Sequence, residues 1–222
     1  MRNITIGIIA RDEEIDKTEM QIVTKNNLKY LNNKCNYIGI LNYNNEYIDT
    51  NLLDICDGLI FQGGKNIYPY HFQILEYAIN NNIPVLGICM GHQIIGLHSI
   101  ESMSDSDLIK VDNHNDKKKL HQIKTTPNSF INRAIGNIES VNTRHEYALK
   151  EVKKPFKVTA LSEDNVIEAI EFIDNKHFII GVQFHPEDLD NTEKLYNIFL
   201  KEVIKRKKNN HTSLQKNIKF SD

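Results

Sequence analysis

Residues Val85–Gln93 read VLGICMGHQ, and this stretch decides the fold. A continuous apolar run, Val85–Ile88, is entered through Pro84 and leads straight into the apolar helix pattern Ile94-Ile95-Gly96-Leu97. Such a run without polar alternation reads as a strand buried on both faces, the signature of a parallel sheet. Working outward, Thr5–Ala10 (TIGIIA), Tyr37–Leu41 (YIGIL) and Gly58–Phe61 (GLIF) repeat the strand pattern. Between them, Glu19–Leu31 carries Ile22, Val23, Leu28 and Leu31, and Pro69–Ile79 carries Phe72, Leu75, Ala78 and Ile79, each spaced like one helix face. Alternating strands and helices predict an α/β fold with a mainly parallel central sheet and helices on both faces.

The second half changes character. His98 to about Pro127 is polar and irregular. Val158–Ser162, Val166–Ile173 and Phe178–Phe184 then suit short strands, with a turn at Asp174-Asn175, and predict a small antiparallel addition. Asn191–Ile204 closes the pattern as a helix with Leu195, Ile198, Phe199 and Ile204 on its apolar face. One domain is expected over residues 1–206, followed by a mobile basic tail over 207–222.

The 222 residues hold 27 Lys plus Arg against 29 Asp plus Glu, a formal net charge of −2. That balance gives no electrostatic footprint for nucleic acid. No stretch approaches the ~18 apolar residues of a membrane span, and the N-terminus lacks a signal-peptide core. Three cysteines at unrelated spacings do not form a disulfide framework, so a reducing cytoplasm is the expected compartment. Clusters such as Asn80-Asn81-Asn82 are interleaved with periodic apolar positions and read as ordinary surface.

Gly87-Ile88-Cys89-Met90-Gly91 is a nucleophile elbow with Cys in place of Ser. The thiol would sit at a helix N-terminus, whose unpaired N–H groups favour thiolate, and the Met90 N–H would face an oxyanion. Cys35 and Cys56 lack glycine flanks and read as core. His185-Pro186-Glu187, at the end of the last predicted strand, offers a base for the thiol and a carboxylate to orient that base. Gly63-Gly64, after GLIF, lets a backbone N–H approach a ligand as a second oxyanion donor. In an open α/β sheet all these turns converge at the carboxyl ends of the strands.

The set of Gly-Gly, Gly-x-Cys-x-Gly-x-Gln and His-Pro-Glu resembles the class I glutamine amidotransferase superfamily over about residues 4–204. The opening IGIIAR, the segment Val141–Glu146 (VNTRHE), and Asp164–Glu171 followed by GVQFHPE are similar to its peptidase C26 branch, which includes γ-glutamyl-γ-aminobutyrate hydrolases. The resemblance implies a flavodoxin-like sheet, Cys89, His185 and Glu187 as a catalytic triad, and Gly63 and Met90 as oxyanion donors. It further implies a γ-glutamyl substrate held by Gly64, Gln93, Glu146 and Tyr147, a thioester intermediate, and no metal or organic cofactor. His145 joins the cleft by the same analogy. The chain departs from that branch in its short Gly64–Cys89 segment, in Met90, and at Thr143–Glu146, all around the presumed leaving-group pocket.

Other histidines carry no metal signature. His92 and His98 are six apart on one helix, and His114, His121 and His211 lie in polar stretches without paired cysteines. No GxGxxG or P-loop supports a nucleotide. The expected activity is hydrolysis of a γ-glutamyl amide. The alternative is a glutaminase subunit supplying ammonia to a separate synthetase; a binding protein that merely keeps the fold is disfavoured by the complete elbow and His-Pro-Glu. Expected partners are a small γ-glutamyl substrate, no nucleic acid and no membrane; a homodimer is left open, and a synthetase partner belongs only to the alternative.

Overall fold

In chain order the strands are Thr5–Ile9 (β1), Arg11–Ile15 (β2), Thr18–Ile22 (β3), Asn36–Ile40 (β4), Gly58–Phe61 (β5), Val85–Ile88 (β6), Leu108–Lys110 (β7), Asn115–Thr125 (β8), Ile138–Arg144 (β9), Tyr147–Leu149 (β10), Phe156–Ser162 (β11), Ile167–Phe172 (β12) and Ile179–Val182 (β13). The helices are Pro69–Asn80 (α1), Met90–Ser99 (α2), Phe130–Ile135 (α3) and Glu193–Ile218 (α4). These come from a computed structural model, which describes residues 4–102, 104–174 and 176–218.

Nine strands form one sheet in the order β4-β1-β5-β6-β13-β12-β11-β8-β9. The first five run parallel and the last four alternate antiparallel, so the antiparallel part is a full arm and not a small addition. β4 and β5 flank β1 on opposite sides, which makes the β1–β5 boundary the switch point where such sheets open a crevice. Side chains alternate across the sheet. Leu59 and Phe61 of β5 and Val85 of β6 face the core under α1 and α2. Ile60, Leu86 and Ile88 face the opposite core, with Tyr196, Phe199 and Val203 of α4 and Ile131 of α3. Burial on both sides is what makes these strands continuously apolar, and each such side chain contributes roughly 1.5–3 kcal/mol.

Glu19–Leu31 is not a helix. It holds β3, the second strand of a hairpin with β2, and then a 3-10 turn at Lys25–Leu28. The hairpin loop, Asp16-Lys17, has positive φ at both residues (50° and 63°), the requirement of a type I′ turn. Buried Gln62 fastens this segment to the sheet: its amide donates to the Ile9 and Ile22 carbonyls, and its oxygen accepts from the Asn27 amide and the Thr24 N–H. The stretch from His98 to Pro127 is also more ordered than expected, since it contains β7 and the long β8. α4 continues to Ile218 where the apolar pattern stopped at Ile204, so part of the expected tail is helical backbone. Residues 219–222, and Asn175 of the expected turn, lie outside the described residues. Among the described residues no helix is long and apolar enough to cross a membrane.

Candidate active site

Parallel strands β1, β5, β6 and β13 end on one rim, where they deliver Arg11, Gly63-Gly64, Cys89, and Gln183 with His185. Cys89 occupies the sharp turn between β6 and α2 with φ 51° and ψ −102°, a conformation that non-glycine residues rarely adopt. Its N–H bonds the Val182 carbonyl at 2.8 Å, which ties the turn to β13. Gly91 makes the turn possible: a Cβ there would run into the backbone and side chain of Phe61. The thiol is 7% exposed, and Met90, the first residue of α2, has an N–H with no intrahelical acceptor.

His185 Nδ1 lies 2.7 Å from Glu187 Oε1. Burial of the ring favours its neutral form, but the adjacent Cys89 and Glu187 overcome that penalty and raise its pKa to about 10. The Cys89–His185 pair is thus set as thiolate and imidazolium. The second oxygen of Glu187 is buried and accepts no hydrogen bond among the described residues. Gly63 touches the same ring, since a Cβ built there would lie 2.6 Å from His185 Cε1.

A cleft of about 1040 Å³ opens over this cluster. Its walls include Gly63, Gly64, Cys89, Gln93, His145, Glu146, Tyr147, His185 and Glu187, so all the expected site residues except Met90 line one cavity. Met90 is buried, with its side-chain end against Gly64. Gln93 directs its amide nitrogen at the Tyr147 carbonyl (2.9 Å) and at Gln183 Oε1 (3.3 Å). That leaves its oxygen, not its NH2, for a ligand. Glu146 accepts from the Asn115 amide at 2.6 Å.

Four further residues shape the site. Gln183 approaches Cys89 Sγ with its amide at 3.6 Å; it lies two residues before His185, so strand period could have found it. Arg11 also lines the cleft, donates to the Gly63 carbonyl at 3.1 Å and pairs with Glu13 at 2.9 Å; its position directly after β1 was the available signal. Arg144 lines the opposite side and pairs with Asp188. Asn142 of β9 holds the His185 backbone, and no local pattern marks it.

The Peptidase C26 family model matches residues 70–187, from the first turn of α1 to Glu187. Protein NtpR of Enterococcus hirae is 28% identical over 61% of this chain and 68% of its own length. The glutamine-hydrolyzing subunit of Thermococcus kodakarensis GMP synthase is 33% identical over 59% of this chain and 65% of its own. The chain thus matches about two thirds of each relative's length. The crystal structure of a glutamine amidotransferase from Thermotoga maritima superimposes with a TM-score of 0.62 at 16% identity, over 94% of this chain and 86% of that one, a likeness of fold. With more than half of its length matched by the family model, the chain belongs to the Peptidase C26 family and is a glutamine-amidotransferase-like hydrolase of the class I superfamily.

Proposed function

We propose that this chain hydrolyses γ-glutamyl amides through a thioester on Cys89. The observation that carries this reading is the His185 ring between the Cys89 thiol and the Glu187 carboxylate, at the floor of a cleft where the strands end. The Cys89 thiolate attacks the γ-carbonyl carbon, and the oxygen gathers negative charge opposite the N–H groups of Gly63 and Met90. As the C–N bond breaks, the His185 imidazolium gives its proton to the departing amine. Water then adds to the thioester, His185 takes the water's proton, and glutamate leaves with the Cys89–carbon bond broken. Glu187 stabilises the imidazolium and fixes its orientation. Gln93, Glu146, Tyr147 and Gly64, with His145 behind them, receive the glutamyl head group.

A cleft of about 1040 Å³ is roomier than free glutamine needs, which favours a conjugate with a sizeable amine. The second reading, a glutaminase that passes ammonia to a synthetase, is favoured by the likeness to the glutamine-hydrolyzing part of a GMP synthase. Glutamate release by the purified chain alone, from a panel of γ-glutamyl amines and peptides beside free glutamine, separates the two. Turnover of at least one conjugate well above glutamine supports the hydrolase; silence on all conjugates, with glutaminase activity switched on by a co-purifying enzyme, sinks it.

A further inference from the structure

Beneath the Tyr147 side of the cleft lies a second polar cluster with no part in the chemistry above. His114 and His145 are 2% and 4% exposed, and Glu168 of β12 is fully buried. Three ring nitrogens converge on Glu168 Oε1: His121 Nε2 at 3.3 Å, His145 Nε2 at 3.5 Å and His114 Nδ1 at 3.6 Å. His114 Nδ1 and His145 Nε2 are themselves 3.3 Å apart. These separations exceed a good N–H···O bond, and neither oxygen of Glu168 accepts a hydrogen bond among the described residues.

The outer nitrogens fix the tautomers. His114 Nε2 meets the Asp164 carboxylate at 2.9 Å, and His145 Nδ1 meets the Tyr147 carbonyl at 3.2 Å. Both partners are acceptors, so the protons of both neutral rings lie on the outside. The two inner nitrogens then present lone pairs to each other and to a buried carboxylate. Three electron-rich atoms facing one another away from water require a cation between them. Around a tetrahedral zinc with bonds of about 2.0–2.1 Å, neighbouring ligand atoms lie about 3.3–3.4 Å apart, close to the separations here. A histidine oriented by an outer carboxylate or carbonyl is also the usual support of a zinc ligand.

We infer that His114 Nδ1, His145 Nε2 and Glu168, with His121 Nε2 as the fourth ligand, form a structural Zn²⁺ site. The neutral imidazole and carboxylate donor set suits zinc among divalent cations. Chain spacing conceals it, because the ligands come from β12 and from the start, the middle and the end of the β8–β9 pair. Its consequence reaches the cleft: the metal would brace His145, whose outer nitrogen meets the same Tyr147 carbonyl that Gln93 binds.

The test uses the full chain purified without chelator, its metal content measured by mass spectrometry, then stripped and titrated with Zn²⁺ and Co²⁺. The expected result is about one equivalent of zinc and a rise in Tm on zinc addition. Cobalt should give the ligand-field bands of a tetrahedral nitrogen and oxygen site without a sulfur-to-metal band, and they should persist in Cys89→Ser. Asp164→Asn, at an exposed position that should leave the fold intact, should weaken zinc binding about 10–100-fold by releasing the His114 tautomer. Glu168→Gln should abolish tetrahedral cobalt; if that variant does not fold, the wild-type spectrum still decides. No retained metal together with no Tm shift or cobalt band would overturn the inference in favour of a shared proton. Loss of the metal in Cys89→Ser would overturn it in favour of binding at the thiol.

Discussion

Asn142 grips the His185 peptide from both sides, its oxygen accepting the His185 N–H at 2.8 Å and its amide donating to the His185 carbonyl at 2.8 Å. The proposed base is therefore positioned by β9, a strand of the antiparallel arm, as well as by β13, which delivers it. Asn142→Ala should lower kcat about 10–100-fold with little change in KM, because a misplaced ring costs rate more than binding. Two buried backbone groups lose their partner, so a stability loss of roughly 1–3 kcal/mol should accompany it. Asn142→Asp retains an acceptor for the His185 N–H and should recover part of the rate. Steady-state kinetics with thermal melts check this, and an unchanged kcat in Asn142→Ala would remove Asn142 from the account.

The two glycines after β5 should differ sharply. Gly63→Ala places its methyl 2.6 Å from His185 Cε1 and should cut turnover by at least about 100-fold. Gly64→Ala first meets the flexible end of Met90, at 2.9 Å, and should lose much less. Equal losses measured side by side would contradict the contact as described.

Cysteine reactivity offers an independent check. Burial pushes the thiols of Cys35 and Cys56 up to about 11, and neighbouring Asp57 adds to the shift at Cys56. Cys89 faces an imidazolium. Iodoacetamide at pH 7 should therefore label Cys89 first, as a single equivalent located by peptide mapping. Faster labelling of Cys35 or Cys56 would argue against the thiolate.

His185 should hold its proton to about pH 10, against 6.5 for an ordinary ring. Since the folded state keeps this proton to higher pH than the unfolded chain, the ion pair stabilises the fold fully below about pH 6.5, and that contribution is lost as pH climbs towards 10. NMR titration of the imidazole should show the raised value in the wild type and a fall in Cys89→Ala. A wild-type ring titrating near 6.5 would exclude the pair.

Much of this was legible in the chain. Gly58–Phe61 and Val85–Ile88 are strands over the residues their apolar runs mark, because a doubly buried strand writes its own boundaries. Cys89, His185 and Glu187 announce themselves through flanking glycines and a strand end. The hairpin at Arg11–Ile22 gave no such sign: RDEEI and TEMQI are short, largely polar strands off the main sheet, and Ile22, Val23, Leu28 and Leu31 mimic a helix face by chance of spacing. β8 and β9 were missed for a related reason, since their side chains are largely polar and their pairing slips between Asp116 and Leu120. Asn142, Gln183 and the three histidines around Glu168 act across the sheet, through pairings that no local period records.

The most direct test of the central claim is rapid acid quenching of the purified chain during turnover of a γ-glutamyl conjugate, followed by peptide mass mapping. The account predicts a glutamyl adduct on the peptide that contains Cys89, absent in Cys89→Ala, which should also release no glutamate. An adduct on another residue, or continued glutamate release by Cys89→Ala, would contradict it.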